Sequence, residues 1–221
     1  TVLDYQPDGS FAPASYAFRG GEETGWIVER NSQPILETGP GFRLTKSTVC
    51  GICSTDLARR FLPYPLPQII GHEVIVRIGE RRFAVEINAS HLARHLKTGC
   101  PFCACGFSTQ CPDRITLGID RLPGGFAPWV LAPVDALVPV PDHIPDETAA
   151  LTEPFAAALH ALDAAPPLDG DEVAVLGPRR LGALLICALA LFRRESARRF
   201  TITALVRRTA LGEAAMSFGA D

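Results

Sequence analysis

The first 145 residues alternate short apolar runs with glycine and proline breaks, a pattern of short strands and turns. Breaks fall at Pro7-Asp8-Gly9, Gly20-Gly21 and Gly39-Pro40-Gly41, with runs such as Gly25-Trp26-Ile27-Val28 between them. Strands are predicted over 45–52, 73–78, 126–133 and 136–140, and over 82–87, where apolar and polar positions alternate. Near residue 146 the pattern changes. Asp146 is predicted to cap a helix carrying Glu147 in its first turn, and the Ala-rich stretch 152–164 continues as helix until Pro166-Pro167-Leu168-Asp169-Gly170 breaks it. A short apolar strand over 172–176 follows, then a glycine turn over 177–182, an apolar helix over 183–192, a second apolar strand over 200–206 and a second helix over 209–218. Strand, glycine turn, helix and strand in that order form the opening βαβ of a dinucleotide-binding sheet. No internal repeat is visible.

Composition narrows the class. The chain has 221 residues, 47% of them apolar and 20% charged, which suits a globular protein of one or two domains. Its net charge of −3 argues against a dedicated nucleic-acid binder. The longest apolar run, Leu181 to Phe192, is too short to cross a bilayer, which takes about 20 residues. No charged-then-apolar segment opens the sequence, so a cytoplasmic location with no membrane association is expected. Residues 171–221 carry eight Arg against five acids, leaving the rest of the chain acidic.

Seven cysteines stand at 50, 53, 100, 103, 105, 111 and 187. An odd count with four crowded together suits metal binding better than a disulfide framework. The first candidate site combines Cys50-Gly51-Ile52-Cys53-Ser54-Thr55-Asp56 with Gly71-His72-Glu73, and Glu153 opens the Ala-rich helix. A thiolate, an imidazole and a carboxylate with one position open describe a catalytic zinc centre. The second is Cys100-Pro101-Phe102-Cys103-Ala104-Cys105, followed by Cys111; four thiolates at such spacing close a structural zinc site. The third is the turn Gly177-Pro178-Arg179-Arg180-Leu181-Gly182. It sits where a G-x-G-x-x-G fingerprint belongs, but Arg179 replaces the glycine that lets the backbone approach a pyrophosphate. The second strand ends in Arg207-Arg208 with no acid, an arrangement that favours NADP(H) over NAD(H).

Taken together, four segments in this order resemble the zinc-dependent medium-chain dehydrogenase/reductase family of alcohol and polyol dehydrogenases. They are Cys50 to Asp56, Gly71-His72-Glu73, Gly124 to Val130, and Val138-Pro139-Val140-Pro141-Asp142 with Thr152-Glu153-Pro154-Phe155. Residues 1–38 are unlike the usual family start. The resemblance implies an α/β protein. A GroES-like β-barrel catalytic domain would span 1–148, and a linking helix with the first βαβ of a Rossmann-type nucleotide domain would span 149–221. A doubly wound sheet needs about six strands and about two are present, so a fragment, or a sequence with residues omitted, is expected.

The resemblance also assigns roles. Its register selects Cys53 over Cys50 as zinc thiolate, with Cys50 as a buried neighbour. Thr55 falls where a hydroxyl relays the substrate proton, Asp56 where a carboxylate orients the ligand His72. Glu73 and Glu153 both match acids that can bind the metal, and the choice between them stays open. A histidine often follows the aspartate by two or three residues; Ala58 and Arg59 stand there, so the proton must leave by another route. In the cysteine lobe, Cys100, Cys103 and Cys111 match, but Lys97 occupies the place of the first cysteine. Cys105 is the expected substitute, ahead of His95 and His91. The cofactor contacts would come from Gly177, Arg179, Arg180, Leu181, Gly182, Arg207 and Arg208. The implied activity is interconversion of a small-molecule alcohol and a carbonyl by hydride exchange with NAD(P)(H), using catalytic zinc and a structural zinc, in a homo-oligomer (dimer or tetramer). The rival reading is a degenerate, non-catalytic relative with structural zinc alone and no dinucleotide; a zinc-free reductase of the same superfamily fits the cysteine and histidine sites poorly.

Overall fold

A computed structural model describes residues 1–97 and 99–221. Two compact units emerge, Thr1–Glu153 and Pro154–Asp221.

The first unit opens with a hairpin of β1 (Val2–Tyr5) and β2 (Phe11–Ala14), and an antiparallel meander of β3 (Tyr16–Gly21), β4 (Gly25–Arg30) and β5 (Gln33–Thr38). Pro7-Asp8-Gly9 makes the hairpin turn, and Gly9 adopts a φ of 90°, which favours glycine. Gly20-Gly21 does not break the chain; it ends β3, and the turn lies just beyond. Then follow β6 (Phe42–Gly51), α1 (Ser54–Ala58), β7 (Glu73–Ile78), β8 (Arg81–Val85), β9 (Asn88–Ala89), α2 (Pro101–Ala104), β10 (Ile115–Leu117), β11 (Arg121–Leu122), β12 (Trp129–Pro133), β13 (Leu137–Pro139) and α3 (Asp146–Ala149). The central sheet has the order β12-β6-β7-β8-β13, antiparallel throughout, and β11-β10-β9 form a second sheet. Alternate residues of these strands meet inside. Val28, Phe42, Val74, Val76, Leu117, Leu122 and Leu131 form one core, each burial contributing about 1.5–3 kcal/mol for a large aliphatic or aromatic side chain.

Two expectations need correction here. The strand predicted over 126–133 begins only at Trp129. The backbone amides of Gly124, Gly125 and Phe126 instead donate to the carbonyls of Ile69, Gly71 and Ile70. Asp146 does not cap its helix: Pro145 holds that place, and Asp146 starts the helix with its carboxylate 2.6 Å from Arg82 Nη1. The strands β9, β10 and β11, two or three residues each, were too short for periodicity to reveal.

Into the second unit run α4 (Thr152–Ala164), β14 (Glu172–Leu176), α5 (Arg180–Ser196), β15 (Thr201–Leu205) and α6 (Thr209–Ser217). β14 and β15 pair in parallel, residue 172 opposite 201 through 176 opposite 205. Parallel neighbours require a crossover, and α5 supplies it. Ile186, Leu189, Phe200 and Ile202 are buried between helix and strands. α5 is longer than the apolar run that predicted it, because Arg180 and the charged turn after Phe192 also join the helix.

Candidate metal centres

The first centre is built by strand register. β6 and β7 pair antiparallel with Gly51 opposite Glu73. Cys53 therefore follows the end of one strand while His72 precedes the start of its neighbour. The ligand atoms of Cys53, His72 and Glu73 all lie within 4.8 Å of one another. Gly51 makes room for this: a methyl group there would fall on the Glu73 carboxylate. Gly71, at φ 94°, is packed against Phe126 and the Cys50 sulfur and lies beside Gly118 and Gly124.

Asp56 joins the two segments. It is buried, and its Oδ2 accepts from the Cys53 backbone N–H at 2.8 Å while Oδ1 accepts from the Gly71 N–H at 3.1 Å. The same Oδ1 lies 3.4 Å from His72 Nδ1, a charge contact rather than an aligned hydrogen bond, for Nδ1 has no hydrogen-bond partner. Asp56 thus positions the histidine mainly through the backbone before it.

Acidic groups surround the imidazole. Burial pulls the His72 imidazole down, but the Asp56 carboxylate, with Cys53 and Glu153, pushes it up to about 9. Burial raises the Glu153 carboxyl above its usual range; His72 opposes this, and Glu73, Glu86 and Asp56 add to it. Glu153 is half-buried and near enough to couple, yet it stands outside the Cys53, His72 and Glu73 group. One thiol, one imidazole and one carboxylate, with surplus negative charge around them, fit a zinc ion with an open position. Cys50 lies at the back, its thiol pushed up to about 12 by burial and by Asp56 and Glu73. Thr55 is half-buried in the first turn of α1. Arg59 is fully buried, its Nη2 donating to Pro65 O and Gln68 Oε1, both at 2.8 Å, while its Nε has no partner among the described residues.

In the cysteine lobe, Cys100, Cys103 and Cys111 converge as the sequence suggests, but the fourth donor facing them is His91. Cys105, expected in this set, lies outside the group. Cys105 ends α2, is exposed, and sits two residues after Cys103; side chains two apart on a helical turn do not share a face. Lys97 is exposed. No sequence spacing singled out His91, because it reaches the thiols through space.

At the turn between β14 and α5, Gly177 has a φ of 60°, and a Cβ on Gly182 would meet Pro178 and Val175 at 3.4 Å. Gly177 thus fills the tight-turn role of the first fingerprint glycine, whereas the contacts at Gly182 are of ordinary van der Waals length. A pocket of about 690 Å³ opens at the carboxyl ends of β14 and β15, lined by Gly177, Arg179, Arg207, Arg208 and apolar neighbours. Arg180, Leu181 and Gly182 are not among its lining residues.

The fold and these sites define a GroES-like zinc-site domain followed by the opening of a nucleotide-binding fold. The alcohol dehydrogenase GroES-like domain family matches residues 39–142. Over 185 residues the chain is 32% identical to an L-threonine 3-dehydrogenase from Rhizobium rhizogenes, covering 77% of this chain and 51% of that one. Over 184 residues it is 33% identical to an L-threonine 3-dehydrogenase from Aeromonas salmonicida, covering 77% and 52%. Among solved structures, a candidate zinc-binding dehydrogenase from Sinorhizobium meliloti bound to NADP is similar, with a TM-score of 0.70 and 27% identity over 95% of this chain and 61% of that one. A 2R,3R-butanediol dehydrogenase from Bacillus subtilis aligns with a TM-score of 0.64 and 26% identity, over 93% and 61%. The chain belongs to the zinc-dependent medium-chain dehydrogenase/reductase family. It spans about half the length of the curated relatives it matches. Among the described residues, no helix is long and apolar enough to cross a membrane.

Proposed function

We propose that the protein containing this chain is a zinc-dependent oxidoreductase that interconverts a small-molecule alcohol and a carbonyl by hydride exchange with NAD(P)(H). The observation that carries this is the convergence of Cys53, His72 and Glu73 around one point, with Asp56 bracing both ligand segments. Zinc bound there supplies a Lewis acid that favours the alkoxide at neutral pH. Cys53, His72 and Glu73 hold the metal, and Glu153 offers a second carboxylate close by. Asp56 keeps the thiol and the imidazole in register. The Thr55 hydroxyl, two residues past the metal thiolate, takes the substrate proton and passes it outward. Residues 1–148 form the zinc-bearing catalytic domain and 149–221 the start of the nucleotide domain.

The arginines of the pocket support a preference for NADP(H). A cytoplasmic homo-oligomer, dimer or tetramer, is part of the same reading. Relatives named for L-threonine and for 2R,3R-butanediol support a hydroxyl-bearing small molecule as substrate.

The test is turnover of reduced cofactor by the intact protein before and after treatment with a chelator. We expect about two zinc ions per chain, one for each donor set, and loss of activity when they are stripped. Activity untouched by complete metal removal, or no turnover with the catalytic metal retained, overturns the proposal.

Gly51→Ala is a second check. The added methyl displaces the Glu73 carboxylate, and zinc affinity of the catalytic centre falls about 10–100-fold, the usual loss when the surroundings of a ligand are disturbed. Competition against a chromogenic chelator measures it.

A further inference from the structure

We propose that the cysteine lobe binds its metal through three thiolates and one imidazole, with His91 Nδ1 as the fourth ligand and Cys105 as a bystander. The inference rests on the reading that the lobe holds a metal, and it names the donor atoms.

His91 Nδ1 lies 3.4 Å from Cys111 Sγ, and its Nε2 lies 3.2 Å from Asp113 Oδ2. A carboxylate beside Nε2 favours the tautomer with the proton on that nitrogen, which leaves the Nδ1 lone pair free to bind a metal. Nδ1 is also the nitrogen turned toward the thiols. Asp113 stands two residues after Cys111, so one turn both supplies a ligand and orients another. His91, Cys100 and Cys111 are buried, as the donors of a closed structural site are, whereas Cys105 is exposed.

The surroundings of the lobe are cationic: Arg94 donates to Ser90 O at 3.2 Å and to Asp113 O at 2.6 Å, and Arg114 donates to Cys111 O at 3.4 Å, so guanidiniums offset the negative charge of the thiolates.

Topology shows what the ligand exchange accomplishes. The lobe is an excursion between β9 and β10, which pair antiparallel at its base. His91 stands two residues after β9 and Cys111 four before β10. The metal therefore fastens both legs of the excursion close to that base, and Cys100 and Cys103 fasten its far part.

The test loads cobalt(II) into the intact protein carrying Cys53→Ser, so that thiolate charge-transfer bands report the lobe alone. The expected spectrum has tetrahedral d–d bands with the charge-transfer intensity of three thiolates. Adding Cys105→Ser leaves it unchanged. Adding Asp113→Asn weakens cobalt binding about 10–100-fold, and His91→Ala weakens it further. His91→Cys restores tight binding, raises the charge-transfer intensity by about one third as three thiolates become four, and moves the d–d bands to longer wavelength. That rescue separates ligation from a merely structural role of the histidine. A four-thiolate spectrum that Cys105→Ser reduces overturns the assignment of His91 while leaving a metal in the lobe. Failure of the lobe to take up cobalt at all overturns the underlying reading as well.

Discussion

In the intact protein, Cys53→Ser lowers turnover by well over ~100-fold, more than the loss usually caused by disturbing only a ligand's hydrogen-bond partners, while Cys50→Ser keeps most of it. The two cysteines are three residues apart, yet the fold gives them different surroundings. Cys53 follows β6 where the chain turns into α1, its N–H held by Asp56 and its sulfur grouped with His72 and Glu73. Cys50 pairs with Val74 inside the sheet, and its sulfur packs near Gly71 and Gly125. Burial holds that thiol protonated, and a protonated thiol is a poor metal ligand. Metal analysis gives a second readout: zinc falls from about two per chain to about one in Cys53→Ser and stays at about two in Cys50→Ser. The opposite pattern would reverse the ligand assignment.

NADP(H) is expected to bind the intact protein about 10- to 100-fold more tightly than NAD(H), the ratio that about 1.5–3 kcal/mol produces. That energy is typical of a charge-assisted guanidinium–phosphate contact. Arg207 and Arg208 line the pocket at the end of β15, and its lining among the described residues carries no carboxylate to receive ribose hydroxyls. Both arginines are exposed, so the preference shrinks as salt is raised. Replacing both with Ala should bring the two affinities together. Titration of both cofactors at two ionic strengths measures the effect, and equal affinities in the unaltered protein would remove the two arginines from cofactor selection. Arg179 lines the same pocket; complete absence of binding would indicate that its side chain closes the approach to the pyrophosphate.

Much of this was legible in the sequence wherever the determinants are local. The strands β6, β7 and β8 announced themselves by short apolar or alternating runs between breakers. The βαβ of the second unit was readable because β14, α5 and β15 each bury an apolar face whose period matches the element. The reactive residue types were legible too, since Cys53, His72 and Glu73 lie in short motifs. So was the departure at Arg179.

The tertiary structure decided what depends on residues distant in the chain. Cross-strand register set Gly51 against Glu73, and no pattern within either strand encodes which residue of one faces which of the other. The double use of Asp56, on Cys53 and on Gly71, joins segments 15 residues apart. The retreat of β12 to Trp129 came from Gly124, Gly125 and Phe126 giving their amides to the 69–71 segment. The grouping of His91, rather than Cys105, with Cys100, Cys103 and Cys111 is the plainest case. Cysteine count and spacing favoured Cys105, but a helical turn points it away from Cys103, and the pairing of β9 with β10 brings His91 to the thiols from the other leg of the loop. Sequence determines which donors are available, through local spacing; which of them share one point in space depends on strand pairing and turn direction, and these are properties of the folded chain.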